Sequence, residues 1–292
     1  MVEEYANHLD AIQVTDRKVG DIIKELSDNG LLENTIVFFF SDHGMRLTRH
    51  KQFLYDGGLH VPLIIADYSH AHGIEAGSRD DKLINGIDLG PTALALAGIP
   101  LPAYMEGRDI FDDALAPREY VIATRDRCDF TIDRIRAVRS KSFKYIRNLK
   151  TDRPYMQPTY MDVDSVELVQ VMRQLYAENK LDSIQARFFS KARPGEELYD
   201  LREDPFEINN LAGDPDYAEV LETYAAVLDQ WMVDTDDKGQ YPEDPEGLKL
   251  MLGIWGKYAI NPEYDALREE YPDLEGSLWA LKSEPWKKIT GE

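Results

Sequence analysis

Between Thr35 and Ile65 the chain reads TIVFFFSDHGMRLTRHKQFLYDGGLHVPLII, two apolar runs around a loop that holds Asp42, His43, Arg46, Arg49, His50, Lys51 and Asp56. Asp42 and His43 are adjacent at a strand end and are followed by Gly44. A carboxylate there is a good ligand for a hard divalent cation, and glycine lets backbone approach closely. An aspartate that only caps its loop leaves the same tripeptide. Lys51 follows nine positions after Asp42. An ammonium beside a metal site suits an anion such as sulfate or phosphate, and Arg46, Arg49 and His50 add positive charge. A solvated lysine is the commoner fate of any single Lys. Tyr55-Asp56-Gly57-Gly58 reads as a tight turn into the second apolar run, with Tyr55 and the glycines structural.

Such a loop needs elements to hold it. Ile12, Val19, Ile23 and Leu26 mark one face of a helix over residues 5–28, and Asn29-Gly30 supplies its stop. IVFFF (36–40) and the run from Val61 to Ala66 do not alternate. Each reads as a strand covered on both faces, the usual state in a parallel sheet. Ligands in such α/β sheets bind outside the carboxyl ends of strands, where this loop begins. Two strands cannot make a doubly covered sheet alone, and no partner strands are found upstream of them. Leu83 to Ala97 reads as a connector and a helix, with Asp88 as cap and Pro91 in its first turn.

Composition shifts after about Pro117. Tyr120–Thr124, Ile135–Val138 and Phe143–Ile146 are short strand candidates, the last two joined into an antiparallel hairpin by Arg139–Ser142. Residues 163–190 and 216–232 read as helices. Little structure is expected beyond Asp234. The division is therefore a 1–117 part, belonging to a larger α/β domain, and a 118–292 α+β subdomain with an antiparallel sheet and an extended tail.

The 292 residues are 43% hydrophobic, enough to bury a core, and the formal charge is −21 from 54 acidic and 33 basic residues. That sign repels nucleic acid and anionic lipid at long range. A local Arg/Lys cluster still outweighs a distant field across a Debye length of ~10 Å. The single cysteine, Cys128, makes no internal disulfide and no CxxC metal site. No apolar run approaches the ~20 residues of a membrane span, and the charged residues among positions 1–20 read against a signal peptide there.

NTIVFFFSDHG followed by KQFLYDGGLHVPLII resembles the sulfatase family of the alkaline-phosphatase superfamily. DRKVGDIIKELSDNGLLENT, IDLGPTALALAGIPLP, GRDIF and EELYDLREDPFEINNLAGDP match further family segments in order, spanning roughly residues 5–215. The resemblance implies an alkaline-phosphatase-like mixed sheet flanked by helices. It implies Asp42 as a ligand of the divalent metal, His43 at the next ligand position, where many members have Asn, and Lys51 as the lysine that binds the sulfate group. Calcium is the metal it implies first. Imidazole at position 43 suits Mn²⁺ or Zn²⁺ better. His50 and Arg49 join Lys51 as candidate anion contacts. Arg125 and Arg127, in what reads as a loop before the hairpin, are placed to meet a carboxylate or a second sulfate. The alternative for the arginines of this segment is that alternate strand positions face water, and Arg136 and Arg139 read as surface or salt-bridged.

The family nucleophile is a formylglycine made from Cys or Ser in a Cys/Ser-x-Pro-x-Arg motif. No such motif is found here, and Cys128, in RCDFTI, lacks both Pro and Arg. The expectation is thus the C-terminal portion of a sulfatase, inactive alone, whose N-terminal half completes the fold and the site. Its substrate is a sulfate ester or sulfamate on a sulfated small molecule or glycan. By resemblance the location is periplasmic or secreted. The alternatives are a phosphonate monoester hydrolase or phosphodiesterase of the same superfamily, and a noncatalytic fragment.

Overall fold

A computed structural model describes residues 2–164 and 166–278. Helix α1 (Val2–Asp28) ends by the expected device. Gly30 adopts φ +66°, its N–H donates to Ser27 O at 3.0 Å, and Leu31 N–H donates to Leu26 O at 2.9 Å. These paired bonds satisfy carbonyls that a helix end leaves open.

Strands β1 (Ile36–Phe40) and β2 (Leu63–Asp67) stand where the apolar runs place them. Their partnership corrects the parallel-sheet reading: they pair with each other, antiparallel, with Phe38 opposite Ile65. The ribbon is also not covered on both faces, since Phe40 is 49% and Ile64 60% exposed. An unbroken apolar run carries the tendency to be buried, but not the direction of the neighbouring strand or the presence of a covering layer. The short helix α2 (Asp56–Leu59) replaces the expected tight turn and leads into β2. Helix α3 (Leu89–Leu96) follows a 3₁₀ turn. Asp88 precedes it but does not cap it. Its carboxylate accepts from the backbone of Asn85 and Arg108 and from the Arg118 guanidinium.

Beyond residue 118, β3 (Val121–Cys128), β4 (Thr131–Arg139), β5 (Phe143–Asn148) and β6 (Glu196–Asp200) form one antiparallel sheet in that order. The β4–β5 hairpin is the expected one. Strand β3 runs farther than Thr124, so Arg125 and Arg127 are strand residues at a register shift rather than loop residues. The reading that alternate positions face water fails for β4, which is buried from Thr131 to Val138. Helix α7 (Ala218–Asp234) covers one face, packing Tyr224 and Leu228 on Val138, Tyr145 and Leu198. The other face meets Phe53, Leu54, Tyr55, Met156 and Met161.

The expected 163–190 helix is broken into α4 (Tyr160–Val163), α5 (Glu167–Ala177) and α6 (Ser183–Ala186). The region after Asp234 is not structureless. Helices α8 (Pro245–Trp255) and α9 (Asp265–Glu270) pack Leu252 and Leu267 with Phe130 and Ile132. Residues 279–292 of the expected tail lie outside the described residues. No helix among the described residues is long and apolar enough to cross a membrane.

Candidate active site

The charged loop leaves the carboxyl end of β1 and folds back on itself. Gly44 N–H donates to Gly58 O at 3.1 Å. A Cβ on Gly44 would lie 1.9 Å from Gly57 O, and one on Gly58 2.1 Å from Phe53 O. The two glycines are therefore required by backbone contact. Arg49 and Gln52 hold φ of +65° and +81°, a conformation that costs of order 1–3 kcal/mol per non-glycine residue and persists only where surroundings enforce it.

Most of the loop's charge is that enforcement. Arg46 pairs with Asp164 at 2.6 Å. Arg49 donates to Phe206 O at 2.6 Å and Glu207 O at 2.8 Å, with its guanidinium 4.1 Å from the Tyr55 ring centroid. Asp56 accepts from Arg139 at 2.9 Å and Lys144 at 2.5 Å. Lys144 is wholly buried and also meets Glu207 at 2.6 Å. Burial pushes the Asp56 carboxyl up. His60, Arg139 and Lys144 outweigh burial and hold it far below the usual carboxylate range. The segment Phe53–Tyr55 is buried in the sheet's core. The loop is thus fastened to the C-terminal sheet at several points.

Three of its ionisable groups take no part in the fastening. Asp42 projects into solvent with 82% of its side chain exposed. His43 lies beside it, Nε2 3.5 Å from Asp42 Oδ2. The other ring nitrogen, Nδ1, is 2.8 Å from Gly44 O. A carbonyl only accepts, so Nδ1 carries the proton and, in the neutral ring, Nε2 keeps a lone pair facing the Asp42 carboxylate. Tying one imidazole nitrogen to a carbonyl so that the other can ligate is the usual second-shell arrangement of a metal-binding histidine. Lys51 Nζ sits 4.9 Å from the Tyr160 ring centroid, with no carboxylate paired to it among the described residues.

The other expected anion contacts turn elsewhere. Arg49 is a tether, as above. His50 Nδ1 donates to Thr48 O, 2.8 Å away, and its ring lies within 3.0 Å of a Cβ built on Gly57. Arg125 is the exception: buried 3.7 Å from Asp133, it reaches the loop at Gln52, 3.4 Å away and next to Lys51, and its Nε and Nη1 have no hydrogen-bond partner. Arg127 is engaged by Glu243 at 3.0 Å and Asp129 O at 2.8 Å. Arg136, expected at the surface or in a salt bridge, is buried in salt bridges with Asp126 at 2.7 Å and Asp237 at 2.9 Å. Burial and Asp129 push the Cys128 thiol up, against the pull of Arg125 and Lys51, the reverse of what an activated nucleophile needs.

Among the described residues no cluster of three or more His, Cys, Asp or Glu side chains is disposed to hold a metal. Asp42 and His43 fit two positions of a shell, not a whole one.

Residues 2–99 match the Sulfatase family. An ulvan-active sulfatase of Formosa agariphila is 40% identical over 251 residues, spanning 85% of this chain and 40% of the relative. Residues 2–99 are sulfatase sequence. Human N-sulphoglucosamine sulphohydrolase is 28% identical over 241 residues, 76% of this chain and 46% of the relative. Among solved structures, a 2-O GAG sulfatase superposes with a TM-score of 0.56 at 25% identity, over 80% of this chain and 44% of that one. The architecture is that of alkaline-phosphatase-like sulfatases, and the chain spans under half the length of the relatives it matches. Asp42, His43 and Lys51 all lie inside the sulfatase-matched stretch.

Proposed function

We propose that this chain contributes the metal edge and the anion clamp of a sulfatase site that hydrolyses a sulfate ester or sulfamate on a sulfated glycan. The observation that carries this reading is the subtraction within the loop. Once its tethering residues are set aside, and His50 with them because its ring is held to Thr48 O within the loop, Asp42, His43 and Lys51 remain, in a segment matched by the family. The likeness to glycan-directed sulfatases supports the substrate class.

Asp42 and His43 would hold a divalent cation, which supplies Lewis-acid polarisation of sulfate oxygens. The hard carboxylate suits Ca²⁺, and the imidazole is at least as suited to Mn²⁺ or Zn²⁺. Lys51 binds the anionic group and offsets charge as the ester bond breaks. Its position on the Tyr160 ring face keeps the stem ordered without neutralising the ammonium. Cys128 takes no part in attack, because its environment favours the thiol. The nucleophile in this reading is the formylglycine that the family resemblance implies. A secreted or periplasmic location accompanies it.

Two donors fall short of the ~6–8 oxygens Ca²⁺ usually takes. Residues 1–292 alone should therefore bind Ca²⁺ weakly and turn over no substrate. A chain with the full length of its relatives, after formylglycine maturation, should release sulfate from N-sulfoglucosamine or glucosamine 6-sulfate. In it, Lys51→Ala should lower turnover ~10²–10³-fold, the cost of losing one charge-stabilising donor. Cleavage of bis-4-nitrophenyl phosphate with no sulfate release would move the assignment to the phosphodiesterase branch. Unchanged turnover in Lys51→Ala would remove the clamp from the account.

A further inference from the structure

A cavity of about 360 Å³, lined by neither Asp42 nor Lys51, is not used by the sulfatase reading. Thr48 and Arg49 of the loop form one wall, Leu168 and Met172 of α5 another, and Arg187 and Phe188, just past α6, a third. Its size is within the ~300–1,000 Å³ typical of small-ligand sites.

The cavity is walled by aromatic faces. Tyr55 packs against Phe188 and Tyr199 with ring centroids 6.4 and 6.1 Å apart, and Tyr155 against Phe188 at 5.5 Å. The phenol groups are already spent. Tyr55 Oη donates to Glu197 at 2.8 Å and Tyr199 Oη at 2.5 Å, while Tyr155 also bonds Glu197. Asn148 completes that carboxylate's shell at 2.6 Å. Rings rather than hydroxyls are left to meet a ligand.

Two guanidiniums share the wall. Arg49 and Arg187 donate to three successive carbonyls, Phe206 O, Glu207 O and Ile208 O, at 2.6–2.8 Å. Carbonyls satisfy hydrogen bonds without cancelling charge. Arg49 Nε is buried and has no hydrogen-bond partner. Of the nearby carboxylates, Glu207 is neutralised by Lys144 at 2.6 Å. Glu197 is sealed behind the tyrosines and opposes at most one of the two cations. The cavity is therefore cationic and aromatic within a chain of formal charge −21.

We propose that this cavity is a second subsite, which binds one anionic pyranose, a uronate or a sulfated hexosamine. The guanidiniums would take the anionic substituent through charge-assisted hydrogen bonds, and the aromatic walls would take the ring's C–H face. The choice of a sugar over another small anion with an apolar face rests on the glycan reading. The cavity and its charge do not.

The test is saturation-transfer NMR on the 292-residue chain with four probes: glucuronate, glucosamine 6-sulfate, glucose and benzoate. The expected result is saturable binding of the two anionic sugars and none of glucose. Arg187→Gln should weaken that binding at least tenfold. Ile184→Trp, which fills the cavity from an exposed position, should abolish it, and Lys24→Ala, on the exposed face of α1, should leave it unchanged. Thermal unfolding of each variant checks that it is folded. Binding of benzoate but of neither sugar would sustain the anion cavity and overturn its assignment to a sugar. Equal binding of glucose, insensitivity to Arg187→Gln and Ile184→Trp, or equal loss in Lys24→Ala would overturn the proposal, as would no binding by any probe.

Discussion

The β1–β2 ribbon and the β4–β5 hairpin are both antiparallel pairs rich in apolar residues, and they end in opposite states. In the ribbon most residues stay half-exposed, whereas in the hairpin Val138 and Tyr145 are fully buried. Pairing is the same in both. What differs is the layers: α7 covers one face of the hairpin, and Phe53–Tyr55 with Met156 and Met161 cover the other. A two-stranded pair in water is marginal until something covers a face. The candidate site sits between these regimes. It starts on the exposed ribbon, but its loop is fastened to the hairpin through Asp56 and the Phe53–Tyr55 plug, and through Arg49 to the segment after β6. Its geometry is therefore owed to residues more than eighty positions downstream, as with Asp56 and Arg139.

That contrast can be broken by substitution. The largest effect is expected at Asp56. Asp56→Ala would leave Arg139 and buried Lys144 short of a partner, and removing one member of a buried ion-pair set costs about 3–5 kcal/mol, read by urea unfolding. The carboxyl of Asp56 is depressed in the folded state, so its contribution is fully present above the unfolded carboxylate value of ~4 and is lost as pH falls toward the folded one. Wild type should lose stability on acidification below about pH 4 more steeply than Asp56→Ala. Parallel curves would mean that Asp56 is not a buried tether.

Phe130, packed against Trp255 at a centroid distance of 5.0 Å, should cost about 3–5 kcal/mol when truncated to Ala. Ile64→Ala on the ribbon should cost about 0.5 kcal/mol or less. Equal losses would show the ribbon to be as well packed as the cluster of Phe130 with α8. The same contrast should appear in native-state hydrogen exchange, as faster exchange of the β1–β2 amides than of β4–β5. Exchange at one common rate would make the two halves a single cooperative unit.

Local chemistry was readable from the sequence and distant partnership was not. Asn29-Gly30 marked a helix end because the left-handed conformation is written in the glycine itself. The β4–β5 hairpin was marked by a short polar turn between apolar runs. The antiparallel ribbon was misread because IVFFF says nothing of strand direction. Helices α8 and α9 were missed because acid and Pro content hid their apolar positions, among them Leu248, Leu252 and Leu267. The burial of Arg136 depends on Asp237, 101 residues away, and on Gly239, where a Cβ would lie 1.7 Å from the guanidinium. Asp42, His43 and Lys51 were singled out from residue type and spacing. That Arg49 and Arg127 are hydrogen-bonded elsewhere was visible only in the fold, as was the wall formed by Arg187, Tyr155 and Tyr199.

The most direct test of the central claim, that Asp42 and His43 present a metal edge while Arg46, Arg49 and Asp56 are tethers, is a Mn²⁺ titration followed by paramagnetic line broadening. Broadening reads weak binding without turnover. The expected result is that the amides of residues 41–44 and the His43 ring broaden first, that Asp42→Ala removes the effect, and that Asp164→Ala, which cuts only the Arg46 tether, does not. Broadening that begins at other acidic stretches of this highly acidic chain and leaves residues 41–44 sharp would contradict the claim.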